Sequence, residues 1–332
     1  MTKKIFLTGG TGFLGSYIIK ELVERGYEIK ALRRGNVVPF YIDKKIFAKV
    51  EWIQGDVLDI TGLIEGMHGC DAVIHAAGKV SFQRRDRESV YQINVEGTAN
   101  VVNAAIEANV TRFVHISSIA AIGRSATGDL VTEEKKWQPS KINTHYAISK
   151  YHAEIEAWRG MGEGLDMVIA NPSTIIGFGD WNTSSCAMYK NAYKEFPWYT
   201  DGINSFVDVE DVARAVVQLM DSKISNERFI ISSETWPFQQ LFNTMADALG
   251  KKRPSRLATR TIGKLAWRLE KLKSFFTGKK PLLTRETARI AHSKTNFSNR
   301  KILEALPGFS FTPLKQSIDT ASKKYLNPLQ PL

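Results

Sequence analysis

The chain has only two cysteines in 332 residues, Cys70 and Cys186, too few and too far apart for a disulfide framework or a thiolate metal site. Its six histidines show no ligand spacing such as His-Glu-x-x-His, so no metal is expected. No apolar run approaches the ~20 residues of a membrane-spanning helix. The opening from Met1 to Leu7 starts like a secretory leader, but it breaks at once into Gly9-Gly10-Thr11-Gly12 without a small-residue cleavage site. A first strand is the better reading, and a cytoplasmic location is expected. Internal repeats and low complexity are also missing, and a hydrophobic fraction of 43% with 24% charged residues is ordinary for a globular protein.

The net charge of +11 is regional. Residues 251–301 hold 16 of the 45 basic residues and two of the 34 acidic ones, so the rest of the chain is slightly acidic. Such a balance points to one basic surface rather than a generally cationic protein.

The first 170 residues alternate short apolar runs with helical patterns, the mark of βαβ units and a parallel sheet. Strands are predicted at Lys4–Thr8, Glu28–Leu32, Val50–Gln54, Ala72–His75, Arg112–Ser117 and Asp166–Ala170, with helices at about 13–25, 59–66, 88–108 (capped near Asn109) and 144–159. Phe206–Met220 and Phe229–Ser232 read as a further helix and strand returning to the main sheet. Segments 180–204 and 234–305 read as mostly helical. The expected fold is α/β: a Rossmann-type parallel sheet with helices on both faces, plus a smaller, mostly helical C-terminal substrate domain. Residues 1–171 form the nucleotide domain with 206–232 returning to it, and 172–205 with 233–332 form the second.

Ile5-Phe6-Leu7 leads into Thr8-Gly9-Gly10-Thr11-Gly12-Phe13-Leu14-Gly15 and then a helix. A strand, glycine turn and helix let backbone N–H groups meet a pyrophosphate with no side chain between. Gly9, Gly10, Thr11, Gly12, Phe13, Leu14 and Gly15 are therefore the candidate cradle. An acidic residue at the end of the second strand would select NAD, but the chain reads Lys30-Ala31-Leu32-Arg33-Arg34. Guanidinium groups at Arg33 and Arg34 suit a 2′-phosphate, so NADP is expected and NAD is the alternative. Asp56 and Val57 fit the adenine edge; Ala76, Ala77 and Gly78 supply small residues where phosphate and ribose pass.

Tyr146-x-x-x-Lys150 places a phenol and an ammonium on one helix face. A free tyrosine titrates near ~10, and a neighbouring cation would lower that value. Tyr146 could then exchange a proton with a substrate oxygen during hydride transfer, with Ser118, after the fifth strand, holding that oxygen.

Taken in order, Thr8-Gly9-x-x-Gly12-x-x-Gly15, Gly55-Asp56-Val57, His75-Ala76-Ala77-Gly78, Asn94-Val95-x-Gly97-Thr98, Ser117-Ser118 with Gly123, Tyr146-x-x-x-Lys150 and Phe206-Val207-Asp208-Val209-x-Asp211 resemble the extended short-chain dehydrogenases/reductases over essentially the whole chain. The resemblance implies that Lys150 also binds the nicotinamide ribose and that Ser118 is the catalytic serine, with Ser117 facing the sheet. It leaves Asn94 either structural or part of a water relay. Asn171, Pro172 and Ser173 complete the expected cofactor set. Sugar epimerases of this family carry an arginine and an asparagine where this chain has Asn171 and Thr174, and a proline at Phe178. Pro172-Ser173-Thr174-Ile175-Ile176-Gly177 is similar instead to dihydroflavonol reductases, and Pro281 to Glu286 with Asn296-Phe297-Ser298 resemble 3β-hydroxysteroid and sterol dehydrogenases.

The implied activity is interconversion of a carbonyl and a secondary alcohol on a small, apolar substrate. A nucleotide-sugar epimerase or dehydratase and a non-catalytic NADP sensor are the alternatives. Arg256, Arg260, Lys264, Arg268 and Lys271, interleaved with Leu257, Leu265, Trp267, Leu269, Leu272, Phe275 and Phe276, read as a basic amphipathic helix. It can present a solvated face, packing its apolar residues over the substrate pocket with its charges in water, contact an anionic membrane through 256–276, or meet an acidic partner or nucleic acid. No nucleic-acid module accompanies it, and a homodimer stays open.

Overall fold

The computed structural model describes residues 3–125, 128–140, 142–277 and 283–327; Met1, Thr2, Pro281, Leu282 and the Phe275 side chain, named above, fall outside. Six strands alternate with helices through the first half: β1 (Lys4–Thr8), β2 (Glu28–Arg33), β3 (Glu51–Gln54), β4 (Ala72–His75), β5 (Arg112–Ile116) and β6 (Met167–Pro172). Farther along lie β7 (Thr174–Ile176), β8 (Ile203–Asp208), β9 (Glu227–Ile231) and β10 (Glu234–Pro237). The main sheet is parallel throughout, in the order β9-β6-β5-β4-β1-β2-β3. The strand order reverses between β1 and β4, and the crevice beyond the carboxyl ends of those strands is where such sheets bind ligands.

The strands are apolar almost without interruption because both faces are covered. On β1, Ile5 and Leu7 join a core with helices α1 (Phe13–Glu24) and α5 (Val209–Asp221). Phe6, between them, points to the opposite core, shared with α2 (Ile60–Met67), α3 (Gly97–Glu107) and α4 (His145–Gly162). A π-helical turn, Gln92–Glu96, precedes α3, and Asn109 ends α3 in the left-handed region at φ 55°.

Three expectations are corrected. Phe206 to Asp208 are the end of a strand, and the helix starts only at Val209, where the Asp208 carboxylate caps the Glu210 N–H. That strand pairs with β7 and β10 in a separate three-stranded sheet, so of 206–232 only α5 and β9 return to the main sheet. The segments read as mostly helical are broken by short strands, including Trp198–Tyr199 and Arg256–Leu257, which pair with each other. Arg256 and Leu257 therefore stand off the basic helix, α6 (Arg260–Thr277), which is followed by α7 (Arg285–Ile290). Tyr189, Phe206, Leu241, Met245, Leu314 and Tyr325 make the separate core of this second layer.

Candidate active site

The glycine turn brings backbone against backbone. Gly9 sits at φ 75°, and a Cβ there would lie 2.5 Å from the Ala77 nitrogen. At Gly15 a Cβ would lie 2.1 Å from the Gly9 carbonyl oxygen. Gly12 caps α1 without a side-chain hydrogen bond, leaving the N–H groups of the first turn to a ligand. Gly9, Gly12, Gly15, Ala76 and Ala77 are thus brought to one crevice, and the cradle fits a dinucleotide pyrophosphate.

At the end of β2, the Arg33 guanidinium lies 5.4 Å from the Trp52 ring centroid, and its Nε is buried with no partner. Arg34 is exposed, its Nε 3.9 Å from Asp56. Asp56 accepts from the Leu58 N–H, and Val57 is buried against Gly97.

A chain of hydrogen bonds links the turn to α4. Ala77 N–H donates to the Thr8 hydroxyl (3.2 Å), which faces His75 Nδ1 (2.7 Å); His75 Nε2 faces the Thr98 hydroxyl (3.0 Å), which donates to the Asn94 carbonyl (2.6 Å). Because Thr98 spends its proton on Asn94, His75 carries its own on Nε2 and accepts from Thr8 at Nδ1. Burial holds His75 down at about 3, so it stays neutral. The Asn94 side chain accepts from the Lys79 N–H and donates to the Lys79 carbonyl and to the Ser149 hydroxyl, which bonds the Tyr146 carbonyl. Asn94 is thereby committed to joining the loop after β4 to α4.

Ser118 caps a short helix, Ile119–Ile122, through the Ala120 N–H, and its hydroxyl stands beside the Tyr146 phenol. Burial raises that phenol above its ordinary value, and the Ser118 hydroxyl pulls it partly back. This runs against the lowering expected from Lys150, whose ammonium is turned to the Ile116 carbonyl at 2.8 Å. Lys150 is 6% exposed; burial depresses it to about 8, and the charge of Glu154 opposes that shift. Phe82 meets the Tyr146 ring edge-on.

Glu154, absent from the sequence reading, lies on the same α4 face as Tyr146 and Lys150, at steps of four. It is buried and accepts from Ser117 (2.6 Å), Asn171 (2.7 Å) and Arg228 (2.9 Å). Arg228 also donates to the carbonyls of Glu133 and Lys135. Ser117 therefore turns toward this helix carboxylate. The Asn171 amide is taken by Glu154 and the Ser118 carbonyl, Pro172 ends β6, and the Ser173 hydroxyl is buried without a partner. The +4 spacing was the one sequence signal for Glu154; Arg228, 74 residues away, gave none.

Beside this set lies a cavity of about 460 Å³. Its wall includes Ile122 to Ser125, after Ser118, and Gln138 to Ser140 with Ile142 and Asn143, before Tyr146, and its lining is largely polar. The α7 turn closes on the same region: Glu286 accepts from the His145 N–H (3.3 Å) and faces the His145 ring. Among the described residues no group of His, Cys, Asp and Glu could hold a metal ion.

The sequence model of the NAD dependent epimerase/dehydratase family matches residues 5–232. A putative dihydroflavonol 4-reductase of Synechocystis is 29% identical over 98% of this chain and 96% of its own. Sterol demethylase protein B of Methylococcus capsulatus is 30% identical over 76% of each. The crystal structure of gox2253 superposes with a TM-score of 0.82 at 27% identity, covering 98% of both chains. Its fold, its glycine cradle and this family match place the chain in the NAD dependent epimerase/dehydratase family, as an NAD(P)-dependent oxidoreductase of the extended short-chain dehydrogenase/reductase type.

Proposed function

We propose that the protein reduces a small carbonyl compound with NADPH, using Tyr146, Ser118 and Lys150. The observation that carries this reading is the Ser118 hydroxyl beside the Tyr146 phenol, with Lys150 one turn along the same helix. The bound nicotinamide supplies the hydride. Tyr146, kept protonated by burial, is suited to give its proton to the substrate oxygen, and Ser118 holds that oxygen in place. Lys150, near 8, is mostly charged at neutral pH and takes the nicotinamide ribose in this reading. NADP over NAD is supported by Arg33, whose Nε has no partner among the described residues, and by Arg34 on the same rim. The polar cavity argues for dropping the expected restriction to apolar substrates. Against an epimerase stands Asn171: the residue at the sugar-enzyme arginine position is committed to Glu154 and Ser118. Residues 172–205 and 233–332 are proposed to form the substrate side.

A membrane contact is proposed for α6. Leu265, Leu269 and Leu272 are more than half exposed at helical spacing, beside Arg260, Lys264, Arg268 and Lys271, which supports contact with an anionic surface. No described helix is long and apolar enough to cross a membrane.

The enzymatic reading is tested by NADPH oxidation over a panel of ketones, aldehydes and nucleotide sugars. A Tyr146→Phe variant should bind NADPH normally while turnover falls about 10²–10⁴-fold. Turnover within a factor of two of the unaltered protein would exclude Tyr146 as the acid.

A further inference from the structure

We propose that the cavity beside Ser118 and Tyr146 holds an anionic group, a carboxylate or a phosphate, carried by the substrate, with Arg124 as its main ligand. The proposal deepens the reductase reading and depends on it only for calling the ligand a substrate.

Arg124 lines the cavity and is partly buried, and burial lowers its pKa. Its Nη1 donates to the Ser293 hydroxyl at 2.8 Å, and Ser293 in turn donates to the Ile290 carbonyl at 2.7 Å. The guanidinium is therefore held in one orientation by a backbone turn of the second layer. No described carboxylate lies within ion-pair distance of it. The contrast with other sheltered arginines is instructive. Arg112 meets Asp166 and the Leu219 carbonyl; Arg228 meets Glu154 and two further carbonyls. A partly desolvated charge without a counter-ion is costly, and an anion bound beside it would relieve that cost. The Arg124 fork has five donors, and among the described residues one is engaged.

A second cation stands next to it. Lys135 also lines the cavity, its carbonyl is pinned by Arg228, and its Cε lies 4.0 Å from where a Gly123 Cβ would be, beside Arg124. The lining also includes Ser125, Ser140 and Asn143, each already bonded to neighbouring backbone, and among the described lining residues one carboxylate, Asp129. Two cations and several small polar groups suit an oxyanion better than a neutral apolar body. Because the lining begins four residues after Ser118 and ends three before Tyr146, an anion bound there is assigned to the molecule whose carbonyl meets Tyr146. The expected class is an oxo acid or a carbonyl phosphate.

The test is calorimetric titration of the protein saturated with NADP⁺, using two matched pairs: 4-oxopentanoate with its methyl ester, and dihydroxyacetone phosphate with dihydroxyacetone. At least one anion should bind about ten- to hundredfold more tightly than its neutral partner. The arm that shows the larger preference tells carboxylate from phosphate. Arg124→Met should remove the preference, Arg124→Lys should keep part of it, and Lys135→Met should reduce it less. Equal binding within each pair, binding of neither anion, or a preference that survives Arg124→Met would overturn the proposal. NADPH oxidation measured on the same compounds separates the two readings. Selective binding without NADPH oxidation leaves the anion site and removes the reductase; oxidation with no preference for the anions does the reverse.

Discussion

Replacing Glu154 by Gln removes one buried negative charge while keeping the side chain's shape. The carboxylate is 2% exposed and accepts from Ser117 at 2.6 Å, Asn171 at 2.7 Å and Arg228 at 2.9 Å. Removing one partner of a buried ion pair costs about 3–5 kcal/mol, and the hydrogen bonds are part of that figure rather than additions to it. A loss of about 3–5 kcal/mol is therefore expected at neutral pH. Part of it depends on pH through Lys150. The native Lys150 releases its proton at about 8, whereas the unfolded side chain holds on until 10.5. Between those values the unfolded chain holds more protons, so the contribution of Lys150 to stability rises with pH; below them the fold bears the full cost of a buried ammonium. Glu154 opposes the downward shift, so without it the native value falls further and that cost grows. The stability gap between the unaltered protein and Glu154→Gln should be widest near pH ~7 and narrow toward pH ~10. Urea unfolding across that range measures it. A gap that stays flat with pH, or one below about 1 kcal/mol, would refute the coupling of Glu154 to Lys150.

Arg33→Ala combined with Arg34→Ala should weaken NADPH binding by about ten- to hundredfold per lost contact and leave NADH binding nearly unchanged; equal losses for both cofactors would argue against NADP. Gly15→Ala places a Cβ 2.1 Å from the Gly9 carbonyl oxygen, so the turn must shift. Binding of both cofactors should fall and stability drop by about 1–3 kcal/mol, as followed by NADPH fluorescence and urea unfolding. Co-sedimentation with vesicles should show salt-sensitive binding to anionic lipid, with each basic residue at the surface contributing on the order of 1 kcal/mol. Converting Arg260, Lys264 and Arg268 to Glu should abolish it, and absence of binding at low salt would leave α6 as plain surface.

The motifs were legible in the sequence because each depends on a local constraint. A glycine turn needs positions without Cβ, a strand covered on both faces needs an unbroken apolar run, and Tyr146 and Lys150 lie one turn apart on any helix. Residues 203–208 were misread because a short apolar segment beside a helix carries no periodicity of its own, and its pairing with β7 and β10 is decided by distant chain. The same distance hid Arg228 from Glu154 and Ser293 from Arg124, pairs separated by 74 and 169 residues.

Sequence alone determined the order of the βα units, the glycine cradle and the spacing of phenol and ammonium, all set by backbone geometry over a few residues. Only the tertiary structure decided the electrostatics. It turned the Lys150 ammonium to the Ile116 carbonyl, raised Tyr146 by burial, engaged Asn171 with Glu154 and left Arg124 with no counter-ion among the described residues. Burial and charge pairing depend on which distant segments pack together, and no local pattern encodes that.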